Sequence, residues 1–252
     1  MQYGPDVNDT SSVPEEPSLA GRAFDRQWDI DFHISFTFEV PLGGVLGALP
    51  AGVVPMEPVP EIALLNVIHA RYVSGTLAEP EPFDEVVCSV VVQPDLGLDM
   101  PTPRQTLCVL DVLSNSETFV RTKIPTLRMP VRYEPSLRAT VAEDRLSTEV
   151  SDGDGPIFTL RCGESTPRYK ERAFCGQYFA RCDDAVFHGV WRWWGSIHET
   201  QRHRRGGGEL HPHPLFLRHE VPVEQVRDCY LQQVSRPGAQ VHMKTYAPRE
   251  LG

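Results

Sequence analysis

The chain has 252 residues, 40% of them hydrophobic and 23% charged, enough apolar material for a sizeable globular core. Its net charge of −10 is unevenly placed: residues 1–100 hold three Arg against sixteen Asp and Glu, a balance of −13 that leaves +3 for the rest. With His203-Arg204-Arg205 as its basic run and no apolar stretch near the roughly 18 residues of a membrane helix, the sequence excludes nucleic-acid binding and helical membrane insertion.

Residues 1–25 are polar, with Pro5, Pro14 and Pro17 among acidic residues, and read as a tail without the basic and apolar parts of a signal peptide. Order begins at Trp28. From Trp28 to Val40 every even position is apolar, and the odd ones are charged or hydroxyl except His33, so the segment is a strand with one wet face. Further strands are expected at Ile62–Val73, Glu85–Gln93, Thr106–Leu113, Leu137–Val141, Ile157–Cys162, Val186–Trp194, Leu215–Val221 and Gln240–Tyr246. Turn signals such as Leu49-Pro-Ala-Gly52 and Ser151-Asp-Gly-Asp-Gly-Pro156 separate them, which suits 23 Pro and 19 Gly. Short helices are expected at Pro41–Leu49, at Glu117–Ile124 with Ser116 as the cap, and at Val223–Gln233 after Pro222. Many strands and few helices make a mainly β sandwich or barrel, with residues 26–252 as one domain. The six cysteines include no CxxC pair, and Cys88 and Cys108 fall inside strand patterns, which suits a reducing cytoplasm.

Residues 106–141 run strand, short helix, Pro-containing turn and strand. Together with Leu49–Pro55 (LPAGVVP), His69–Leu77 (HARYVSGTL) and Phe83–Val87 (FDEVV), this resembles the acetoacetate decarboxylase-like superfamily over roughly residues 28–245. The resemblance implies an antiparallel, cone-shaped β-barrel around a buried apolar pocket. It also implies a Pro-Lys-Lys turn whose first lysine forms a Schiff base with a β-keto acid, activated by desolvation and a neighbouring cation. Here that turn reads Pro130-Val131-Arg132-Tyr133, and a guanidinium cannot serve as the nucleophile. Lys123, Lys170 and Lys244 are the remaining lysines, and Lys123 is nearest to the turn. Glu85 matches a pocket glutamate of the family, and a second carboxylate would fall near Asn66. On this reading Arg132 anchors a carboxylate or enolate oxygen, Tyr133 or His69 moves protons, Glu85 supplies a carboxyl group, and Arg71 and Asn66 contact the substrate.

Two other clusters stand out. His198, His203, His211, His213 and His219 lack HExxH or any motif-fixed carboxylate, so no metal or other cofactor is expected. Trp191-Arg-Trp-Trp194 alternates along a strand, so Trp191 and Trp193 share one face, as core filling or as a wall for an apolar ligand. The leading expectation is an enzyme, a lyase or cyclase without the Schiff-base lysine. It would act by acid–base or positional catalysis on an apolar polycarbonyl or polyene intermediate of natural-product biosynthesis. Its partner would be that small molecule, with a homo-oligomer compatible. The alternatives are a β-keto acid decarboxylase or aldolase using Lys123, and a non-catalytic barrel that binds a small ligand.

Overall fold

In the computed structural model, which describes residues 24–75, 82–94, 105–164, 166–201 and 207–251, the long alternating segment forms β1 (Phe24–Pro41). The expected tail therefore lies outside the described residues except for Phe24 and Asp25, which already belong to β1. All seven even side chains from Trp28 to Val40 are buried. The odd face is not the wet face expected, because His33, Ser35 and Thr37 are buried as well. Both faces of this strand are covered, one by the inside of a ring of strands and the other by a second sheet.

The ring continues with β2 (Ile62–Gly75), β3 (Phe83–Val91), β4 (Gln105–Ser114), β5 (Val131–Tyr133), β9 (Lys170–Cys182), β10 (Ala185–Gln201), β12 (Cys229–Ser235) and β13 (Val241–Leu251). Among the described residues, β1, β13, β10, β9, β4, β3 and β2 pair in that order, and β2 returns to β1, so seven strands close on themselves. Between β1 and β10 the gap is shared: β13 pairs with one half of each, and β12 with the other. The ring is antiparallel except at β4 and β9, which run parallel, and the short β5 pairs parallel with the outer part of β4. The second sheet comprises β6 (Arg138–Val141), β7 (Ser147–Asp152), β8 (Gly155–Arg161) and β11 (Gly208–Leu210), in the order β11, β8, β7, β6.

A bulge in β1 divides the core in two. Ile30 pairs with Tyr72 and Phe32 with Arg71, which leaves Asp31 as the extra residue. Trp28 and Ile30 consequently pack inside the ring with Tyr72, Phe119 and Trp193. Beyond the bulge, Phe32, Ile34, Phe36 and Phe38 turn outward onto Val150, Phe158 and Leu160 of the second sheet. Arg145 holds the bulge, its Nη2 donating to the Asp31 carbonyl at 2.6 Å and to the Asp31 carboxylate at 2.7 Å. An unpaired carbonyl in a bulge is costly when buried, and this guanidinium satisfies it.

Three helical segments complete the described fold. α1 is Gly43–Leu46, and α2 is Glu117–Leu127, where Ser116 Oγ accepts the Phe119 N–H at 3.1 Å as the cap. The expected strand at 215–221 is instead α3 (Pro214–Leu217) and a turn, because His213 Nδ1 accepts the Leu215 N–H and Pro214 opens the helix. The helix expected at 223–233 is a 3-10 turn, Val223–Gln225, followed by β12. Pairing with two neighbours at the closure of the ring outweighs local helical preference there. No helix of the described residues is long and apolar enough to cross a membrane.

Candidate active site

Inside the ring lies a cavity of about 110 Å³. Its floor follows from strand register. His33 of β1, Ala70 of β2 and Glu85 of β3 stand side by side across three adjacent strands and all line the cavity. With strands about 4.8 Å apart, the two polar residues are about 10 Å apart at their backbones, and Ala70 leaves the space between them empty. Ser35, Ile68 and Val87 form the next row. Across the ring, β9 and β10 supply Phe174, Tyr178, Trp191 and Trp193.

The polar groups on this floor have distinct states. Nδ1 of His33 is buried without a partner in the protein. Desolvation pushes the His33 imidazole down to about 4, with a smaller contribution from His69 on the other side of the sheet, so it is neutral at physiological pH. Tyr72 is buried and hydrogen-bonded to Glu85; desolvation and then the Glu85 charge hold its hydroxyl well above the usual tyrosine range. Ser35 Oγ accepts a 2.9 Å bond from Asn66 Nδ2, which leaves its own proton free to donate. Asn66 is fully buried behind this row, where it also donates to Thr37 Oγ1 at 2.9 Å and does not line the cavity.

Of the residues singled out in the sequence, Glu85, Trp191 and Trp193 therefore line the cavity, and Asn66 supports it from behind. The others face elsewhere. His69 and Arg71 alternate with Ala70 and Tyr72, so they project from the back of β2 toward the second sheet. There His69 Nε2–H donates to Asp84 Oδ1 at 2.9 Å, its Nδ1 accepts from Thr148 Oγ1 at 2.9 Å, and Arg71 makes a two-pronged pair with Asp84. Burial raises the Asp84 carboxyl, but the His69 and Arg71 hydrogen bonds more than reverse this and hold it below its ordinary value. Burial also keeps His69 low, against the opposing pull of Asp84. Arg132 likewise pairs with buried Asp111 at 2.9 and 3.0 Å, and Tyr133 is 44% exposed. The polar end expected from Arg132, Tyr133, His69 and Arg71 is thus not assembled at the cavity.

The missed residues are His33, Ser35 and Tyr72. His33 carried a signal, as the odd position in its strand that was neither hydroxyl nor charged at neutral pH. The histidine-rich segment has a structural use: His213 Nε2 donates to Asp152 at 2.9 Å while Nδ1 caps α3, so both nitrogens are occupied. Asp154 lies close to this pair.

No protein-family model matches the sequence, and no curated protein matches it either. Solved structures do. An acetoacetate decarboxylase superposes with a TM-score of 0.62 at 10% identity, covering 90% of this chain and 91% of that one. Acetoacetate decarboxylase from Legionella pneumophila gives 0.58 at 12% identity, covering 96% and 93%. The enduracididine biosynthesis enzyme MppR, complexed with the condensation product of pyruvate and imidazole 4-carboxaldehyde, gives 0.54 at 11% identity, covering 99% and 97%. The chain has the acetoacetate decarboxylase-like fold.

In the Pro130 turn, Val131 and Arg132 point to opposite sides. Val131 is buried in the inner core beside Val112 and Phe119, whereas Arg132 turns the other way to Asp111. Lys244 sits between Met243 and Thr245, which line the cavity, and so faces away from it. Lys170 is exposed at an outer groove. Lys123 belongs to α2, and its side chain lies outside the described residues. Among the described side chains, the cavity has neither lysine nor arginine in its lining.

Proposed function

We propose that this chain is an enzyme, of the lyase or cyclase kind, that acts on a neutral, largely apolar carbonyl compound by acid–base catalysis without a Schiff base. The observation that carries this reading is the row His33, Ala70, Glu85: a neutral buried imidazole and a carboxyl group on either side of a vacant apolar patch. A carbonyl compound lying over Ala70 would receive a hydrogen bond from Ser35 at its oxygen. His33 would take the proton from the adjacent carbon, and the electrons of that C–H bond would move to form the enolate, whose oxygen the Ser35 hydrogen bond stabilises. The Tyr72–Glu85 pair would then donate a proton to a leaving hydroxyl, which departs as water, or to the oxygen of a second carbonyl whose carbon the enolate attacks to close a ring. A β-keto acid fits less well, since its carboxylate would be buried without a cation among the described lining residues.

Exchange of α-hydrogens for deuterium in a small neutral ketone such as 2-heptanone tests this directly by NMR. Exchange should be accelerated by the protein and lost by about 10²–10⁴-fold in His33→Ala. Sodium borohydride should trap no adduct. Exchange that survives in His33→Ala, or a reduced adduct on Lys123, would overturn the mechanism, and binding without exchange would make the barrel a ligand carrier.

A further inference from the structure

The wall opposite the proposed acid and base is built around two glycines. Gly176 of β9 is the register partner of Trp191 of β10, and Gly189 of β10 is the register partner of Tyr178 of β9. A Cβ at Gly176 would lie 2.3 Å from Trp191 Cζ2, and one at Gly189 would lie 2.0 Å from Tyr178 Cζ. Each ring therefore lies down on the bare backbone of the neighbouring strand, in a reciprocal pair. The two rings are 6.1 Å apart and inclined by 29°. Phe174 and Trp193, direct register partners, pack beside them at 5.2 Å and 31°. Tyr178 is pinned further by its hydroxyl, which donates to the Leu127 carbonyl at 2.8 Å.

We infer that this wall is a stacking platform, and that the substrate presents one flat, conjugated, uncharged ring to it. One side of Trp191 rests on Gly176 while the residue also lines the cavity, so a broad π surface is held in a fixed plane for a ligand. In the order of the ring, β9 and β10 stand opposite β2, so a planar molecule would be held between the platform and Ala70, its edges toward His33 and Glu85. The volume sets the size. A cavity of roughly 150 Å³ takes up a benzene molecule, so about 110 Å³ holds no more than one ring and excludes a fused system. This inference rests on the proposed function for its reaction, but the binding it describes stands independently of His33.

Acetophenone and cyclohexyl methyl ketone share their carbonyl and carbon count and differ in the flatness of the ring. Their binding is measured by tryptophan fluorescence and calorimetry. Acetophenone should bind about five- to tenfold more tightly than its saturated counterpart. Trp191→Leu should bring the two within about twofold, and Trp191→Phe should keep the preference. Should Trp191→Leu fail to fold, as judged by circular dichroism, Trp193→Leu takes its place with the same expectation. His33→Ala should keep the preference whether or not it loses α-hydrogen exchange, which separates failure of the platform from failure of the chemistry. Equal affinities in the unmodified protein, no binding of either ketone, or a preference that persists in the leucine variant would overturn the inference. Tighter binding of phenyltrimethylammonium than of acetophenone would also overturn it, making the wall a cation site.

Discussion

At the scale of single residues, His33 is the most informative position because its burial ties the site to the stability of the fold. In the unfolded chain this imidazole takes up a proton near pH 6.5, but in the folded chain only near pH 4. Between those values the unfolded state binds more protons, so stability falls as the pH is lowered from 6.5 to 4, by about 3 kcal/mol at most. His33→Phe should remove this component, and urea unfolding at pH 7 and pH 4.5 would show a smaller pH difference in the variant. An unchanged difference would mean that His33 is protonated inside the fold. Arg132 illustrates the opposite case, since its chemistry was conspicuous in the sequence but strand parity sends it to Asp111. Arg132→Ala should lower the melting temperature and leave ketone binding within about twofold; a large loss of binding would return Arg132 to the site.

At the scale of elements, packing decides where local pattern does not. Ser116 caps α2 as its sequence position suggested, and Ser116→Ala should cost about 1 kcal/mol in urea unfolding. Gly189→Ala should be far more damaging for its size, because the new methyl group would occupy the space of the Tyr178 ring. A fully stable Gly189→Ala protein would show that this ring is free to move. Strands β2, β3 and β4 were legible because alternating or continuous apolar runs are local signals. The strand β9 was not, since its first residues, Lys170-Glu-Arg172, are all charged and carry no strand alternation. For α3, the deciding contacts are a histidine acting as a cap and two consecutive buried residues, Leu215 and Phe216, which a strand pattern mimics.

The molecule as a whole depends on joining two sheets through charges that the sequence offered as catalytic. Asp84 sits between His69 and Arg71, while His69 reaches Thr148 and Arg71 reaches the Ala139 carbonyl, both on the second sheet. Removing the central carboxylate leaves its partners partly buried and uncompensated, so Asp84→Ala should destabilise the protein by about 3–5 kcal/mol. Ketone binding per folded molecule should persist, measured by calorimetry at low temperature; its loss would assign the cluster to the ligand. The resemblance named the fold from short segments such as FDEVV and the Pro130 turn and brought Glu85 with it, while strand alternation put Trp191 and Trp193 on one face. The back-facing role of His69, Arg71 and Arg132 was not, because the side to which a strand residue points depends on the bulge and register of its neighbours. Ring closure was legible only through the resemblance, which implied a barrel, since pairing across most of the chain leaves no local mark.

That closure has a consequence in time. β1 is flanked by β2, made soon after it, and by β12 and β13, made roughly 200 residues later. At 5–20 residues per second, about 10–40 s separate the emergence of β1 from the arrival of the strands that complete its pairing. Through that interval β1 carries an open edge, joined near its end by one on β10, and neither His33 nor the aromatic wall is enclosed. Those edges are where a holding chaperone would bind on the ribosome, and where two unfinished copies would join each other if synthesis outran it.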